Sequence, residues 1–360
     1  MDRRSFLKNS TIGAGAAGTA ALAAPAYAQG NRTLTLVTTW GRGLAGVHDS
    51  AQFCADQITA MTDGQLTVDL KAGGELVGAF EVFDAVTSGQ ADMYHGPDYY
   101  FVGQHPAYAF FTAVPFGMTA QEMMNWYYQA GGAELHDELG QIFGLKSFLS
   151  GNTGTQSGGW FRSQINGPED FQGLRFRMPG LGGQVLGKMG ASVQNLPGSE
   201  VYQAFASGAI DGTEWLGPWG DETVGFAEIT KLYYPAGFHE PGSANSLATN
   251  RDVWESLTPA QRLIIERTAA ETHVWNLAQF MTNNGTALQR LQSAGVQLLT
   301  FPDSVWDAFG QATREVMEEN MGDELFARIR GAMLESMRAS SSWISASDDV
   351  YRSQRDRIMG

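Results

Sequence analysis

Apolar and polar positions along this chain change period repeatedly, from two to nearly four and back again. Residues 33–38 (TLTLVT) alternate and predict a strand. Ala51, Cys54, Ile58 and Met61 recur at helical spacing and predict a helix over 48–62. Asp63-Gly64 then turns the chain into a second alternating strand over 66–70. The same rhythm predicts a helix at 81–87, a short strand at 90–94 and a strand at 146–150. Between them, Thr119 with Glu122 forms a capping box that starts a helix running to Tyr128. Past Gly151 the pattern resumes with a helical turn at 168–171 and strands at 174–178, 192–196 and 209–215. Helices at 183–189 and 200–206 separate those strands. Such strand–helix alternation predicts an α/β fold.

Two features add an architecture to the elements. Residues 81–92 (EVFDAVTSGQAD) match 200–211 (EVYQAFASGAID) at six of twelve positions, each a helix, a Ser-Gly stop and a strand closing on Asp. This echo predicts two lobes of related topology, whose strand ends would face a shared cleft. The second feature begins at Thr258-Pro259, an N-cap with proline in the first turn. Helical character continues to Asn284-Gly285 and resumes to Leu291, giving roughly 30 residues and about 45 Å of helix. That length predicts an element spanning both lobes. A further strand is expected at 296–301, helices at 304–321 and 323–337, and a polar tail after Ser340 that is either disordered or reaches a partner subunit, making a homodimer one expectation.

Composition narrows the setting. Arg3-Arg4-Ser5-Phe6-Leu7-Lys8, a weakly apolar stretch from Thr11 to Ala24 and Ala26-Tyr27-Ala28 form a twin-arginine export leader cut after Ala28. The chain is therefore expected in the periplasm. Gly13, Gly15 and Gly18 spell G-x-G-x-x-G inside that leader, where no strand precedes them, so they do not mark a nucleotide site. Arg3, Arg4, Lys8 and Asp2 leave with the leader, moving the formal charge from −15 to −17. A surface this acidic argues against nucleic acid or anionic lipid as a partner. The single cysteine, Cys54, excludes an internal disulfide and sits on an apolar stripe. None of the six histidines pairs in H-E-x-x-H spacing, and no G-x-S-x-G elbow or phosphate-binding loop is present.

Against that acidic background, an arginine in a Gly/Pro-rich loop has a reason to be there. Three loops stand out: GNTGTQSGGW from Gly151, RFRMPG around Arg177, and GTEWLGPW around Glu214 and Trp215. A guanidinium binds a carboxylate through two parallel charge-assisted hydrogen bonds, so Arg177 predicts a carboxylate-bearing small ligand. Gln156 and Glu214 supply oxygens suited to a hard cation between protein and ligand.

The segments AGGELVGAFEVFDAV, FFTAVPFGMTAQEM, GNTGTQSGGWF, RFRMPGLGG, GTEWLGPW and YYPAGFHEPG together resemble the solute-binding proteins of tripartite ATP-independent periplasmic (TRAP) transporters, the DctP family. The likeness is greatest to the subgroup binding 2-oxo and 2-hydroxy monocarboxylates such as pyruvate and lactate. It implies a periplasmic binding protein-like α/β fold of two lobes around a cleft, bridged by a long helix. On that pattern residues 29–150 form lobe I, joined by part of 238–265 and the C-terminal region. Residues 151–237 with the strand near 296–301 form lobe II, 258–291 the bridging helix and 340–360 the tail. The resemblance implies that Arg177 grips the substrate carboxylate and that Gln156 touches both ligand and cation. Glu214 by its side chain and Trp215 by its carbonyl would hold the cation, Na+ or Ca2+. Tyr99, Tyr100 and Asn152 would line the substrate site, and Glu240 of HEPG would lie near cation or ligand. Asp98 is not carried over, because a further carboxylate beside an anionic ligand needs its own charge partner. The implied partners are a small organic acid and the transporter's membrane subunits, with no chemistry done on the ligand. A sugar acid, dicarboxylate or amino acid as ligand, and a periplasmic metal-dependent enzyme using Glu214 as a base, stay open as alternatives.

Overall fold

The computed structural model describes residues 31–360, so the export leader read at 1–28 lies outside the described residues. Eleven strands are present there: β1 (Arg32–Thr38), β2 (Leu66–Lys71), β3 (Met93–Gly96), β4 (Leu145–Asn152), β5 (Gly159–Phe161), β6 (Arg175–Arg177), β7 (Ser192–Gln194), β8 (Gly212–Thr213), β9 (Leu232–Tyr234), β10 (Ala244–Asn250) and β11 (Gln297–Leu298). They form two sheets, in the orders β2-β1-β3-β10-β4 and β11-β9-β5-β8-β6-β7. Each sheet is the centre of one α/β lobe. In the first, β1 runs parallel to β2 and β3, while β10 is antiparallel to β3 and β4. In the second, β6 runs parallel to β7 and β8, and β5 is antiparallel to β8 and β9.

The sequence echo is a structural echo. The helix Val82–Thr87 stops at Gly89 and the helix Gly198–Ala206 at Gly208, with φ of 78° and 76°, a left-handed turn that glycine adopts without Cβ strain. Asp92 then exchanges hydrogen bonds with Thr35 of β1: its carboxylate accepts the Thr35 N–H at 2.7 Å, and its own N–H donates to the Thr35 carbonyl at 3.0 Å. Asp211 does the same with Arg175 of β6, at 3.1 and 2.7 Å. The aspartate immediately precedes each strand, whereas the repeat pattern predicts it at the strand's end. β3 runs on to Gly96 and β8 leaves its sheet after Thr213. Their carboxyl ends lead to Asp98–Phe101 and Glu214–Trp215, where Tyr100 of the first lobe meets Arg177 of the second.

Two segments carry the chain between the sheets. One follows β4, the other precedes β10, and they run antiparallel. Thr153 N–H donates to the Ser243 carbonyl at 2.9 Å, Ser243 N–H to Gly154 at 3.2 Å, and Gln156 N–H to Glu240 at 2.9 Å. β10 reads ANSLATN, with no apolar alternation, yet every residue through Thr249 is buried. It was not foreseen, because a central strand between two others shows no solvent face to impose period two.

The bridging helix runs Pro259–Ser293, 35 residues, capped by Thr258 and Gln261 and continuous through Gly285. Its buried stripe of Ile265, Ala269, Asn276, Phe280, Ala287 and Leu291 packs first on lobe I and then on lobe II. Asn276 pins the crossing: its Oδ1 accepts the Asn152 N–H at 3.0 Å and its Nδ2 donates to the Gly46 carbonyl at 2.8 Å. The C-terminal residues depart from the polar-tail expectation. The helix expected to end near 337 extends over Glu324–Ala346, and Asp348–Met359 forms another. Asp348 and Asp349 in the first turn and Arg357 in the last complement its dipole.

Replacing Asn276 with Ala leaves the buried Asn152 N–H without a partner, worth about 1–3 kcal/mol, and leaves the Gly46 carbonyl only the Ser50 N–H at 3.2 Å. Asn276→Ala is expected to lower Tm by several degrees and to accelerate amide exchange at Asn152, measured by calorimetry and hydrogen exchange.

Candidate functional site

Arg177 closes β6 and is 1% exposed, as is Glu214 beyond β8. The parallel pairing of these strands sets Thr213 beside Arg177, so the next residue along, Glu214, meets the guanidinium. Arg177 Nη1 donates to Glu214 Oε1, while Nε and Nη2 donate to the Leu196 carbonyl at 3.1 Å each. Nη2 also reaches the Tyr100 hydroxyl of lobe I at 3.4 Å. Burial by itself would lower the Arg177 pKa. The Glu214 carboxylate and the Tyr100 and Tyr99 phenols reverse that and raise it, holding the guanidinium charged.

Aromatic rings close the two sides of this pair. The Arg177 guanidinium carbon lies 5.4 Å from the Trp215 ring centre, and Trp215 meets Trp40 of lobe I edge-on at 6.5 Å. Trp215 in turn lies on Gly198, where a Cβ would come within 2.1 Å of its ring. Tyr100 packs against Trp40 at 6.3 Å, Phe80 at 4.8 Å and Tyr99 at 5.0 Å. Burial, followed by the Glu240 charge, holds the Tyr99 phenol well above its ordinary pKa.

Behind the pair, the returning segment supplies His239 and Glu240, both buried. Their ligand atoms and those of Glu214 lie within 4.8 Å of one another. His239 Nε2 is 3.6 Å from Glu214 and 3.9 Å from Glu240, beyond hydrogen-bond length, and both Glu240 oxygens lack a hydrogen-bond partner. Desolvation, then the Glu214 charge, raises the Glu240 carboxyl to about 7. A buried, unpartnered carboxylate is met either by a proton or by a cation. Two carboxylates converging here therefore suit a hard oxygen-seeking cation.

The remaining sequence candidates fall as follows. Gln156 stands opposite Glu240 on the paired crossing, and its Nε2 donates to Thr153 Oγ1 at 3.1 Å. Asn152 is buried at the root of the same loop, its Oδ1 accepting the Gly154 N–H at 2.7 Å while its Nδ2 has no partner. Asp98 does not face the pair. Tyr94 Oη and Ser246 Oγ donate to it at 2.9 and 2.7 Å, and His136 Nε2 lies 2.8 Å away, so its charge is settled inside lobe I. The turn it opens, Asp98–Phe101, is the one carrying Tyr99 and Tyr100. Three features went unread in the sequence. His239 was only one histidine of six, Trp40 belonged to no motif, and the Trp215 ring was overlooked in favour of its carbonyl. Adjacency to Glu240 in HEPG was the available signal for His239.

Residues 42–323 match the family described as bacterial extracellular solute-binding protein, family 7 (DctP). The chain belongs to this family. It is 37% identical over 285 residues, 79% of this chain and 78% of the other, to the monocarboxylate 2-oxoacid-binding periplasmic protein of Nostoc sp.. Two solved structures share its fold. One is a TRAP periplasmic solute-binding protein from Pseudoalteromonas atlantica with bound sodium and pyruvate, 36% identical, TM-score 0.87, covering 90% of this chain and 99% of that one. The other, from Colwellia psychrerythraea with bound calcium and pyruvate, is 35% identical, with TM-score 0.87 and the same coverage. The family resemblance and the two-lobe α/β fold expected from the motifs are thereby borne out. Among the described residues no helix is long and apolar enough to cross a membrane.

Glu240 sets a pH dependence. Its folded pKa of about 7 exceeds the ordinary 4.5, so the unfolded chain releases the proton first. Unliganded stability is then highest below about pH 4.5 with respect to this group and declines as pH rises through 7. In cation-free protein, the Tm of Glu240→Gln relative to wild type is expected to rise as pH goes from 5 to 8, because the variant lacks this one declining contribution.

Proposed function

We propose that this chain is the extracytoplasmic solute-binding subunit of a TRAP transporter. It captures a small 2-oxo or 2-hydroxy monocarboxylate, such as pyruvate or lactate, together with Na+ or Ca2+. The observation that carries this reading is the buried Arg177–Glu214 pair between the lobes, with the unpartnered Glu240 carboxylate beside it. The pyruvate and cation in the two solved relatives support it.

In this reading Arg177 receives the ligand carboxylate, and Tyr99, Tyr100 and Asn152 line the ligand's remaining surface. Glu214, the Trp215 carbonyl and Gln156 hold the cation, with Glu240 at its edge. The bound cation supplies positive charge that offsets Glu214 once Arg177 turns part of its fork to the ligand. Lobe I (29–150) and lobe II (151–237) close about the paired crossings, and the helix over 258–291 spans both. Closure excludes water and strengthens each charge contact. Ligand selects the closed form, which docks on the membrane subunits. No bond of the ligand is made or broken. The leader directs export to the periplasm by the twin-arginine route, and the C-terminal helices are available to a second copy of the chain.

A thermal-shift series of 2-oxo acids, 2-hydroxy acids, dicarboxylates, sugar acids and amino acids, each with Na+, with Ca2+ or with neither, tests the reading. The expected result is stabilisation by pyruvate or lactate that needs a cation, with the acid recovered unchanged. Arg177→Lys, which keeps the charge and loses the fork, is expected to weaken binding at least tenfold, about 1.4 kcal/mol. Stabilisation by dicarboxylates alone, or turnover of the acid, would sink the assignment. Replacing Arg3 and Arg4 by Lys is expected to block export, and mass spectrometry of the exported chain should begin at Gln29.

A further inference from the structure

We propose that Asp221 is a positioning residue for binding: its carboxylate clamps the loop carrying Gln156 to the loop carrying Glu214 and Trp215. The inference rests on the binding role proposed above for those loops.

Asp221 lies on the short helix Pro218–Val224 and is fully buried. Its Oδ1 accepts the backbone N–H groups of Leu216 and Gly217, at 3.1 and 3.0 Å. Its Oδ2 accepts Trp160 Nε1–H at 2.9 Å and the Ser157 hydroxyl at 3.3 Å. Leu216 is the residue after Trp215, and Ser157 the residue after Gln156. Trp160 belongs to β5, which borders β8 in the sheet, so the clamp also fixes both loops to the strand between them. One carboxylate thereby sets the distance between the two groups of oxygens assigned to the cation.

Among the described residues, neither Arg nor Lys donates to this carboxylate. Its charge is met by four neutral donors, and desolvation raises its carboxyl to about 7. A buried acid without a cationic partner is costly. Three of its donors, two backbone N–H groups and the indole N–H, have nothing to accept with. An asparagine in its place must therefore aim its NH2 at one of them. The least obstructed choice faces Ser157, whose hydroxyl can accept, and leaves one N–H opposed to that of Trp160. The helix bearing Asp221 is held in turn by the bridging helix, where Asn284 Oδ1 accepts the Trp219 N–H at 3.1 Å. Trp219 packs on Phe280 at 5.3 Å, and that ring abuts Gly46 of lobe I. The clamp is thus tied to the junction of the lobes.

The test compares wild type, Asp221→Asn, Trp160→Phe and the double variant. Amide exchange of residues 153–158 and 212–217 is measured without ligand, and pyruvate affinity is measured with Na+. Asp221→Asn is expected to speed exchange in both loops and to weaken pyruvate about tenfold or more. The double variant, freed of the indole N–H, is expected to return to within about threefold of Trp160→Phe alone, a recovery that general destabilisation would not give. Unchanged exchange and affinity in Asp221→Asn, or loss with no recovery in the double variant, would overturn the clamp. If Asp221→Asn does not fold, Ser157→Ala decides: affinity lowered threefold or more supports the clamp, and unchanged affinity overturns it. Wild type failing to bind any 2-oxo or 2-hydroxy monocarboxylate would defeat the proposed ligand class instead, and the ligand-free exchange comparison would still decide the clamp.

Discussion

A guanidinium with 1% of its side chain exposed stays in a protein only with an anion against it, and Glu214 is that anion for Arg177. Much of the surrounding architecture follows from keeping this pair in register. Parallel β6 and β8 bring the two residues together, Leu196 satisfies two further donors, and Trp40, Trp215 and Tyr100 exclude water. In the function proposed above, an incoming carboxylate would compete with Glu214 for the guanidinium, and a cation would compete with Arg177 for Glu214. Acid and cation arriving together preserve the charge balance that either alone would disturb, which is a physical reason for them to bind as a unit.

The hinge is not separate from the site. Gln156, His239 and Glu240 sit on the two segments joining the lobes, and the Gln156 N–H bonds directly to the Glu240 carbonyl. Any change at the proposed cation site therefore acts on the segments that join the lobes. Lobe I contributes by contact from across the cleft, through Tyr100 and Trp40. Asn276 of the bridging helix fastens the crossing to Gly46 of lobe I.

Three buried acids outside the Arg177 pair show how environment divides labour among identical groups. Asp98 is answered within lobe I by Tyr94, Ser246 and His136, and so shapes the tyrosine turn without adding charge to the cleft. Asp221 is answered by four neutral donors and holds two loops together. Glu240 lacks any hydrogen-bond partner and is the one poised to gain a proton or a cation. All three are buried carboxylates, and their partners separate them.

What the sequence determined by itself was whatever short-range pattern encodes. Period two and period 3.6 located β1, β2 and their helices, the Thr258-Pro259 cap located the bridging helix, and the repeated Ser-Gly stops revealed the related lobes. Glycine-rich loops and an arginine in an acidic chain pointed to Arg177, Gln156, Glu214 and Trp215. The tertiary structure decided what depends on distant partners. Buried β10 has no solvent face and so no alternation to read. The last helix, Asp348–Met359, buries no residue and so passes for a loose tail. The pairing of Arg177 with Glu214, the removal of Asp98 from the cleft and the entry of His239 all turn on contacts between residues 25 or more positions apart, or on strand register. Charges buried together are assigned by geometry, and geometry of that range is not carried by local spacing.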